Sequence, residues 1–139
     1  MAIVLKVERR KMPSKVKNLF EQAERGACTI YIPTMVFAEI AYLSERKRIE
    51  ATLDSTAAYL NSFSCLREYP ITYQTIVHAF QIKDIPELHD RIIAGAGHEL
   101  KIPVLTNDSE IISSSFVASI WDWVWNQIMY REDKRYDGR

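Results

Sequence analysis

The chain has 139 residues, of which 47% are hydrophobic, and it contains only 4 Gly and 5 Pro. This length suits one domain with a single core. Lysine plus arginine and aspartate plus glutamate are balanced at 18 each, which excludes an overall field attracting the chain to nucleic acid or to an anionic membrane. No apolar run approaches the roughly 20 residues of a bilayer span, and no secretory signal follows Met1. A cytoplasmic protein without a membrane partner is expected.

Apolar periodicity, caps and chain breakers predict an alternation of helices and strands. In chain order these are a helix from Ser14 to Gly26, a strand at Cys28–Ile32, a helix from Thr34 to Glu45, a helical segment at 48–63, a strand at Phe63–Ile71, a helix from Thr72 that breaks at Lys83, a helix at Leu88–Lys101, and strands at Pro103–Thr106 and Val117–Trp121.

Three of these helices carry further expectations. Thr34 is predicted to cap its helix through the side chain. Ile76, Val77 and Phe80 are predicted to form the inner face of the helix that begins at Thr72. The small residues of 94–97 would let the helix at 88–101 lie close to a sheet, although their glycines weaken it.

Strands that alternate with helices call for a parallel sheet joined by right-handed crossovers and covered on both faces. The predicted fold class is therefore α/β, a three-layer sandwich with a parallel central sheet flanked by helices. In such sheets ligands bind at the carboxyl ends of the strands.

Three acids fall at that edge of the predicted sheet. Asp108 follows the strand that ends at Thr106, and Glu39 lies near the start of the helix that leaves the strand ending at Ile32. Asp90 lies in the first turn of the helix that leads to Pro103. We call this group the acidic rim.

Carboxylates held close together repel one another unless cations neutralise them or some remain protonated. Hard divalent ions such as Mg²⁺ or Mn²⁺ take oxygen ligands, so the acidic rim predicts metal-assisted phosphodiester cleavage. The alternative is that Glu39 is a solvated helix position, while Asp90 and Asp108 stabilise a helix start and a turn.

Two segments resemble the core of PIN domains. Residues 87–94, ELHDRIIA, followed by residues 103–108, PVLTND, are similar to the family pattern DRLIAATA…PLVTAD, and residues 32–40 resemble its second block, a strand and then a helix with a glutamate. The resemblance covers roughly residues 1–121 and includes Ile120-Trp121. It is strongest for ribonuclease toxins of the VapC type.

The resemblance implies that Glu39, Asp90 and Asp108 bind one or two Mg²⁺ or Mn²⁺ ions in a ribonuclease site. Thr106, or Asn107, would support Asp108 and a bound water in that site, although Thr106 also reads simply as the last residue of a strand. Arg91 matches the motif and is expected to pair with a carboxylate such as Glu87. The resembled toxins usually form homodimers and are silenced by a cognate antitoxin.

The family's first acid normally ends an opening strand in the middle of the sheet. Residues 1–5 match the part of that pattern just after this acid, so we expect the acid to lie upstream of Met1. Without that strand, interior strands would be left unpaired, and residues 2–7 could slide into the gap as a strand. Glu8 would then approach the acidic rim; otherwise it is an exposed charge beside Arg9 and Arg10.

The predicted domain spans residues 1–130 and the charged tail residues 131–139. Val124, Trp125, Ile128 and Met129 continue an apolar stripe from Trp121, which predicts a C-terminal helix, and at least one of Trp121, Trp123 and Trp125 should be exposed or at an interface. The basic runs 9–11 and 46–48 could hold RNA phosphates near the rim or be solvated helix ends.

Two functions therefore stay open. The first is a metal-dependent endoribonuclease, the toxin half of a toxin–antitoxin pair. The second is a PIN-like module that binds an antitoxin or RNA without cutting, which the expected absence of the first acid from this chain keeps open. A phosphate-binding regulatory α/β domain is disfavoured, since no glycine-rich phosphate loop is present.

Overall fold

A computed structural model describes residues 1–121 of the chain. Helices and strands alternate along this part. The helices are α1 Ala2–Val7, α2 Ser14–Glu24, α3 Thr34–Glu45, α4 Leu53–Ser62, α5 Tyr73–Gln81, α6 Leu88–Leu100 and α7 Ser109–Ile112, and the strands are β1 Ile30–Pro33, β2 Leu66–Tyr69, β3 Val104–Leu105 and β4 Ser119–Ile120. The predicted C-terminal helix, Trp123, Trp125 and the tail lie outside the described residues.

The strands pair in parallel, as the α/β alternation predicts. β1 pairs with β2, so that Ile30 lies opposite Leu66, and β3 pairs with β4, so that Val104 lies opposite Ser119. Within residues 1–121 these pairs form two separate two-stranded sheets. The prediction of one continuous central sheet is therefore wrong for this part of the chain, while the α/β class and the parallel pairing are confirmed.

The N-terminal segment is a helix, and the suggestion that it forms a strand is wrong. Ala2, Ile3 and Val4 are all buried on α1, where they join the main core. An ion pair between Lys6 and Glu24 (3.1 Å) ties α1 to α2. Packing of this short apolar helix against its neighbours outweighs the β preference of its Ile and Val residues, because strand propensity depends strongly on tertiary context.

Glu8 follows α1 and contacts the loop before α4. The suggestion that Glu8 approaches the acidic rim is therefore wrong. Its Oε2 accepts hydrogen bonds from the backbone N–H groups of Glu50 (2.6 Å) and Ala51 (2.8 Å). These bonds, that from Ala51 first, lower the pKa of the Glu8 carboxyl. Glu8 therefore connects the end of α1 to the loop before α4.

Two apolar clusters form the core. The larger lies among α1, α2, β1, α3 and β2, and the smaller joins α6, β3 and α7 to the loop after α5. Trp121 is half-buried and packs against the larger cluster. Buried side chains of the larger cluster include Val16, Phe20, Ile32, Ile40 and Leu66, and those of the smaller are Ile82, Ile85, Ala94, Val104 and Ile111.

Three helices begin at positions that differ from the predicted ones. Thr72 was predicted to start its helix, and it instead caps α5 in a reciprocal box with Thr75. Thr34 is instead the first residue of α3, and its hydroxyl donates to the Tyr69 carbonyl (3.2 Å), joining the helix to β2. The helical segment predicted from residue 48 begins only at Leu53, because Thr52 and Ser55 form another capping box there.

The predicted inner face of α5 is wrong for Val77 and Phe80, which are exposed, while Ile76 is half-buried. The buried residues of this helix are Thr75 and Ala79. Thr75 is buried at little cost because its hydroxyl donates to Glu99 (2.7 Å). A methyl group added to Gly95 of α6 would stand 2.6 Å from the Ala79 Cβ, so the two helices pack closely through their smallest residues. The glycine run thus serves a helix contact as well as the expected strand contact, which Gly97 makes with Val104.

Candidate metal centre

Asp90 lies in the first turn of α6. Glu87 caps this helix, and its Oε2 accepts a hydrogen bond from the Asp90 N–H (2.7 Å). The cap satisfies one of the amide groups that a helix start leaves without a partner. It also leaves the Asp90 side chain to face the edge of the sheet, where Asp108 lies.

Asp108 follows β3 and caps α7. Its Oδ1 accepts hydrogen bonds from the N–H groups of Glu110 (2.9 Å) and Ile111 (3.2 Å). Thr106 holds the same turn from the other side, since its hydroxyl oxygen accepts from the Asp108 N–H (3.0 Å). Asp108 therefore stabilises the turn after β3, which is the structural role that the alternative prediction gave it. Thr106 holds the backbone of Asp108 in that turn.

The structure brings Asp90 and Asp108 together and adds Glu110, which the sequence analysis missed. One carboxylate oxygen from each of these three residues lies within 4.8 Å of the others. Glu110 lies in the first turn of α7, two residues after Asp108. The spacing Asp108-x-Glu110 at the carboxyl end of a strand is the signal that could have identified it. We include Glu110 in the acidic rim from here on.

Glu39 stands beside this group and not within it. It lies on α3, and its side chain is 26% exposed. His89 lies between Glu39 and the helix cap Glu87, since its Nδ1 is 4.0 Å from the Glu39 carboxylate and 3.9 Å from that of Glu87. Burial, and then the charge of Glu87, raise the pKa of the Glu39 carboxyl, while His89 opposes them.

Asp90 carries the largest carboxyl pKa shift at the rim. Burial first, and then the neighbouring charges of Asp108, Glu87, Glu39 and Glu110, together raise its pKa from 3.8 to about 6. Each of these neighbours makes it harder to ionise Asp90. A bound cation would reverse that balance.

The donor set fits a hard divalent cation. Three carboxylate oxygens within 4.8 Å of one another match the oxygen ligands that Mg²⁺ and Mn²⁺ prefer. The neighbouring negative charges help to raise the pKa of Asp90, and a bound cation would offset their repulsion. Glu39 lies close enough to affect Asp90 electrostatically, but its carboxylate is not among the three that lie within 4.8 Å of one another.

The other predicted participants lie elsewhere. Arg91 does not pair with Glu87; its guanidinium donates to the carbonyls of Ala79 (3.1 Å) and Phe80 (3.4 Å) at the end of α5 and covers the Phe80 ring. The residues of the basic run 46–48 follow the end of α3, about 10 Å further along the helix axis than Glu39 at 1.5 Å per residue. There Lys47 and Arg48 share a shallow pocket with Arg10. This placement favours solvated helix ends over a phosphate site at the rim.

The described part of the chain is an α/β protein whose acids gather at the carboxyl ends of parallel strands. Residues 2–115 match the PIN domain family, and the chain belongs to that family. PIN domains are generally metal-dependent nucleases, so membership supports nuclease-type activity in general. A comparison with curated proteins found no match. Among the described helices, none is long and apolar enough to cross a membrane.

Proposed function

We propose that this protein is a metal-dependent endoribonuclease that hydrolyses RNA phosphodiester bonds at the acidic rim. The observation that carries the proposal is the convergence of Asp90, Asp108 and Glu110, with Glu39 beside them, at the carboxyl ends of the strands. The resemblance of two segments to PIN ribonucleases, together with membership in the PIN family, supports RNA as the proposed substrate class.

Each residue has a role that follows from its position. Asp90 and Asp108 would hold one Mg²⁺ or Mn²⁺ ion directly, and Glu110 and Glu39 would complete its surroundings. Thr106 keeps Asp108 in place through the backbone hydrogen bond. When bound, the ion would lower the pKa of a coordinated water and stabilise charge on the leaving oxygen. Asp90 must be ionised to act as a ligand, so activity should rise as the pH increases through about 6.

The wider role that we propose is the toxin of a toxin–antitoxin pair. It rests on the resemblance to ribonuclease toxins of the VapC type, which implies a cognate antitoxin and a homodimer; a place in the cytoplasm is the separate expectation from the sequence. These features stay predictions, as does a three-layer arrangement of the whole domain.

The direct test is Mn²⁺-dependent cleavage of a mixed-sequence RNA. Asp90→Asn and Asp108→Asn should each lower the cleavage rate by about 100-fold or more, since metal-ion catalysis contributes several kcal/mol. Glu110→Gln and Glu39→Gln should have smaller effects, because neither is the centre of the group. Glu45→Gln is the matched control, because Glu45 is an exposed acid on the same helix as Glu39.

Binding of Mn²⁺ should be measured on the same samples by titration calorimetry. Loss of both cleavage and Mn²⁺ binding in Asp90→Asn, with Glu45→Gln unchanged, would support the nuclease. Mn²⁺-dependent cleavage by the purified protein that survives every rim substitution would place catalysis away from the rim and contradict the proposal. Absence of cleavage in all samples would leave the second function, a PIN-like module that binds an antitoxin or RNA without cutting.

A further inference from the structure

Two of the three histidines of the chain meet across the contact between α5 and α6. The Nδ1 atom of His78 lies 2.8 Å from that of His98, and their ring centres are 5.1 Å apart. Both side chains are half-buried. Because a hydrogen bond needs an acceptor as well as a donor, at least one of the rings is neutral, with the lone pair of its Nδ1 directed toward the other ring.

The packing of the two helices holds these rings in position. His78 precedes Ala79, and a methyl group added to Gly95 would stand 2.6 Å from the Ala79 Cβ. His98 follows Gly95 by three residues, which is about one helical turn. The tightest point of the helix contact therefore lies beside the histidine pair. The two nitrogens are already together in the folded protein, so a ligand that needs both of them does not have to order the side chains.

A carboxylate beside the pair offsets positive charge. Glu99 follows His98, and its Oε1 accepts hydrogen bonds from the hydroxyls of Tyr69 (2.5 Å) and Thr75 (2.7 Å). The hydrogen bond from Tyr69, then that from Thr75 and the charge of His78, lower the pKa of the Glu99 carboxyl and outweigh its burial. Glu99 is therefore ionised at neutral pH, and it lies close enough to His78 to interact with a charge there.

The separation of the two nitrogens suits a metal ion with nitrogen ligands. Imidazole suits transition-metal ions such as Zn²⁺, whereas carboxylates suit Mg²⁺ and Mn²⁺. Zn–N bonds of about 2.0–2.1 Å at the tetrahedral angle place two ligating nitrogens about 3.3 Å apart. Widening the 2.8 Å contact by about 0.5 Å would thus admit an ion in place of the proton between the rings. Among the described residues, no acid, cysteine or third histidine offers an atom within 4.8 Å of both nitrogens.

We propose that His78 and His98 bind one divalent transition-metal ion, represented by Zn²⁺, through their Nδ1 atoms, and that water completes its coordination. Two protein ligands make this an exchangeable ion, unlike the ion of a four-ligand structural zinc site. His98 lies eight residues after Asp90 on α6, about 12 Å along the helix axis. The ion therefore takes no part in the chemistry of the acidic rim. Its effect is to fasten α5 to α6, the helix that carries Asp90.

The test needs no RNA, because the proposal does not depend on cleavage. It uses the full chain without a polyhistidine tag, which would bind the same ions. All samples carry Asp90→Asn and contain excess Mg²⁺, so that the rim does not compete for Zn²⁺. Titration calorimetry at pH 7.5 should show one Zn²⁺ bound per chain.

His78→Gln and His98→Gln should each weaken Zn²⁺ binding at least about tenfold, since even residues that only support a metal ligand contribute about 10–100-fold to metal affinity. His89→Gln is the matched control, because it replaces the third histidine, which lies beside the rim, and it should leave binding unchanged. Zn²⁺ should also raise the melting temperature of the parent chain and of His89→Gln, but not that of the other two variants.

NMR of the histidine rings provides a second measurement that does not depend on how the histidine variants fold. In the Asp90→Asn chain with all three histidines present, Zn²⁺ should shift the ring signals of His78 and His98 together up to one equivalent, and EDTA should reverse the shifts. The signals of His89 should stay in place.

Zn²⁺ binding that survives both His78→Gln and His98→Gln would overturn the proposal, because the ion would lie elsewhere. Absence of Zn²⁺ binding, or unchanged ring signals of His78 and His98 at saturating Zn²⁺, would overturn it too. Loss of binding in His89→Gln alone would place the ion beside the rim and would also contradict the proposed site.

Discussion

Asp90 is the rim residue whose ionisation is most unfavourable in the folded protein. Its carboxyl group is partly buried in the first turn of α6, with Asp108, Glu39 and Glu110 close enough to raise its pKa. The first turn of a helix normally favours a carboxylate. Here burial and the neighbouring acids outweigh that effect, which is the arrangement expected of a group that works with a cation.

The raised pKa of Asp90 makes the metal-free protein less stable as the pH rises. The folded state holds the Asp90 proton to about pH 6, whereas the ordinary pKa is 3.8. The folded state thus binds more protons between these values, and its free energy of unfolding falls as the pH increases across that window. Asp90→Asn should remove this slope and be more stable than wild type above pH 6 in EDTA.

Urea unfolding between pH 4 and pH 8 measures this difference, with Glu45→Gln as the control. The control should follow the wild-type curve because Glu45 is exposed. Parallel curves for wild type and Asp90→Asn would mean that Asp90 does not have the raised pKa.

Glu8 gives a second prediction at the scale of one residue. Its carboxylate accepts two backbone hydrogen bonds and its side chain is only 7% exposed. Glu8→Gln should lower the free energy of unfolding at pH 7 by about 1.5–2 kcal/mol, because the amide oxygen can still accept both hydrogen bonds but lacks the charge that strengthens each by about 1 kcal/mol. Because the pKa of Glu8 is lowered on folding, this stabilisation is present above its ordinary pKa of 4.5 and is lost as the pH falls through the lowered value.

Arg10→Gln is the matched control for Glu8→Gln. Arg10 makes only a 3.4 Å ion pair with Glu8 and is 60% exposed, so its replacement should change stability by less than about 1 kcal/mol. Equal losses in the two variants, measured by urea unfolding, would show that the ion pair and not the backbone contact matters.

The packing of α5 against α6 decides which residues are buried at the scale of these elements. Small residues meet where the helices come closest, at Ala79 and Gly95, and this contact turns Val77 and Phe80 outward. Phe80 is then covered by the guanidinium of Arg91, 4.0 Å from its ring centre. The arrangement explains an exposed aromatic residue without invoking a binding partner.

Gly95→Ala tests this helix contact. Alanine has a helix propensity about 1 kcal/mol better than glycine, yet the added methyl group would lie 2.6 Å from the Ala79 Cβ. Overpacking of this kind costs about 1–3 kcal/mol, so we expect a net loss of stability in thermal unfolding. Asn61→Ala, at an exposed position of α4, should be neutral or slightly stabilising. A more stable Gly95→Ala protein would show that the two helices can separate at no cost.

At the scale of the whole molecule, the acidic rim should link metal binding to stability. Mn²⁺ binds the folded rim and not the dispersed carboxylates of the unfolded chain, so saturating the site at 100 times its dissociation constant should add about 2.7 kcal/mol. Protons compete for Asp90, whose pKa is about 6. The rise in melting temperature on adding Mn²⁺ should therefore be clear at pH 7.5 and much smaller at pH 5.

Asp90→Asn is the control for this linkage, and it should show little Mn²⁺-dependent stabilisation at either pH. Scanning calorimetry at both pH values measures the effect. An equal increase in melting temperature at pH 5 and pH 7.5 would place the bound ion away from Asp90.

Local pattern was sufficient for much of the fold. Helical spacing of apolar residues predicted α2, α3 and α6, and the start of α5 was predicted to within one residue at Thr72, whose hydroxyl acts within its own turn. Asp90 and Asp108 were predicted to meet because the order of strands and helices alone places them at one edge of a parallel sheet. Their closeness in the structure follows from that connectivity.

The remaining features depend on contacts between segments far apart in the chain. Residues 2–7 form a helix because α2 and α4 pack around them, and α5 turns Thr75 and Ala79 inward because Gly95 lies opposite. Glu110 joins the rim only because α7 folds back toward α6. Thus the sequence by itself determined the α/β class and two of the acids. Tertiary structure decided which faces are buried, how the strands divide into two sheets and which carboxylates share one site, because each depends on packing that no local pattern encodes.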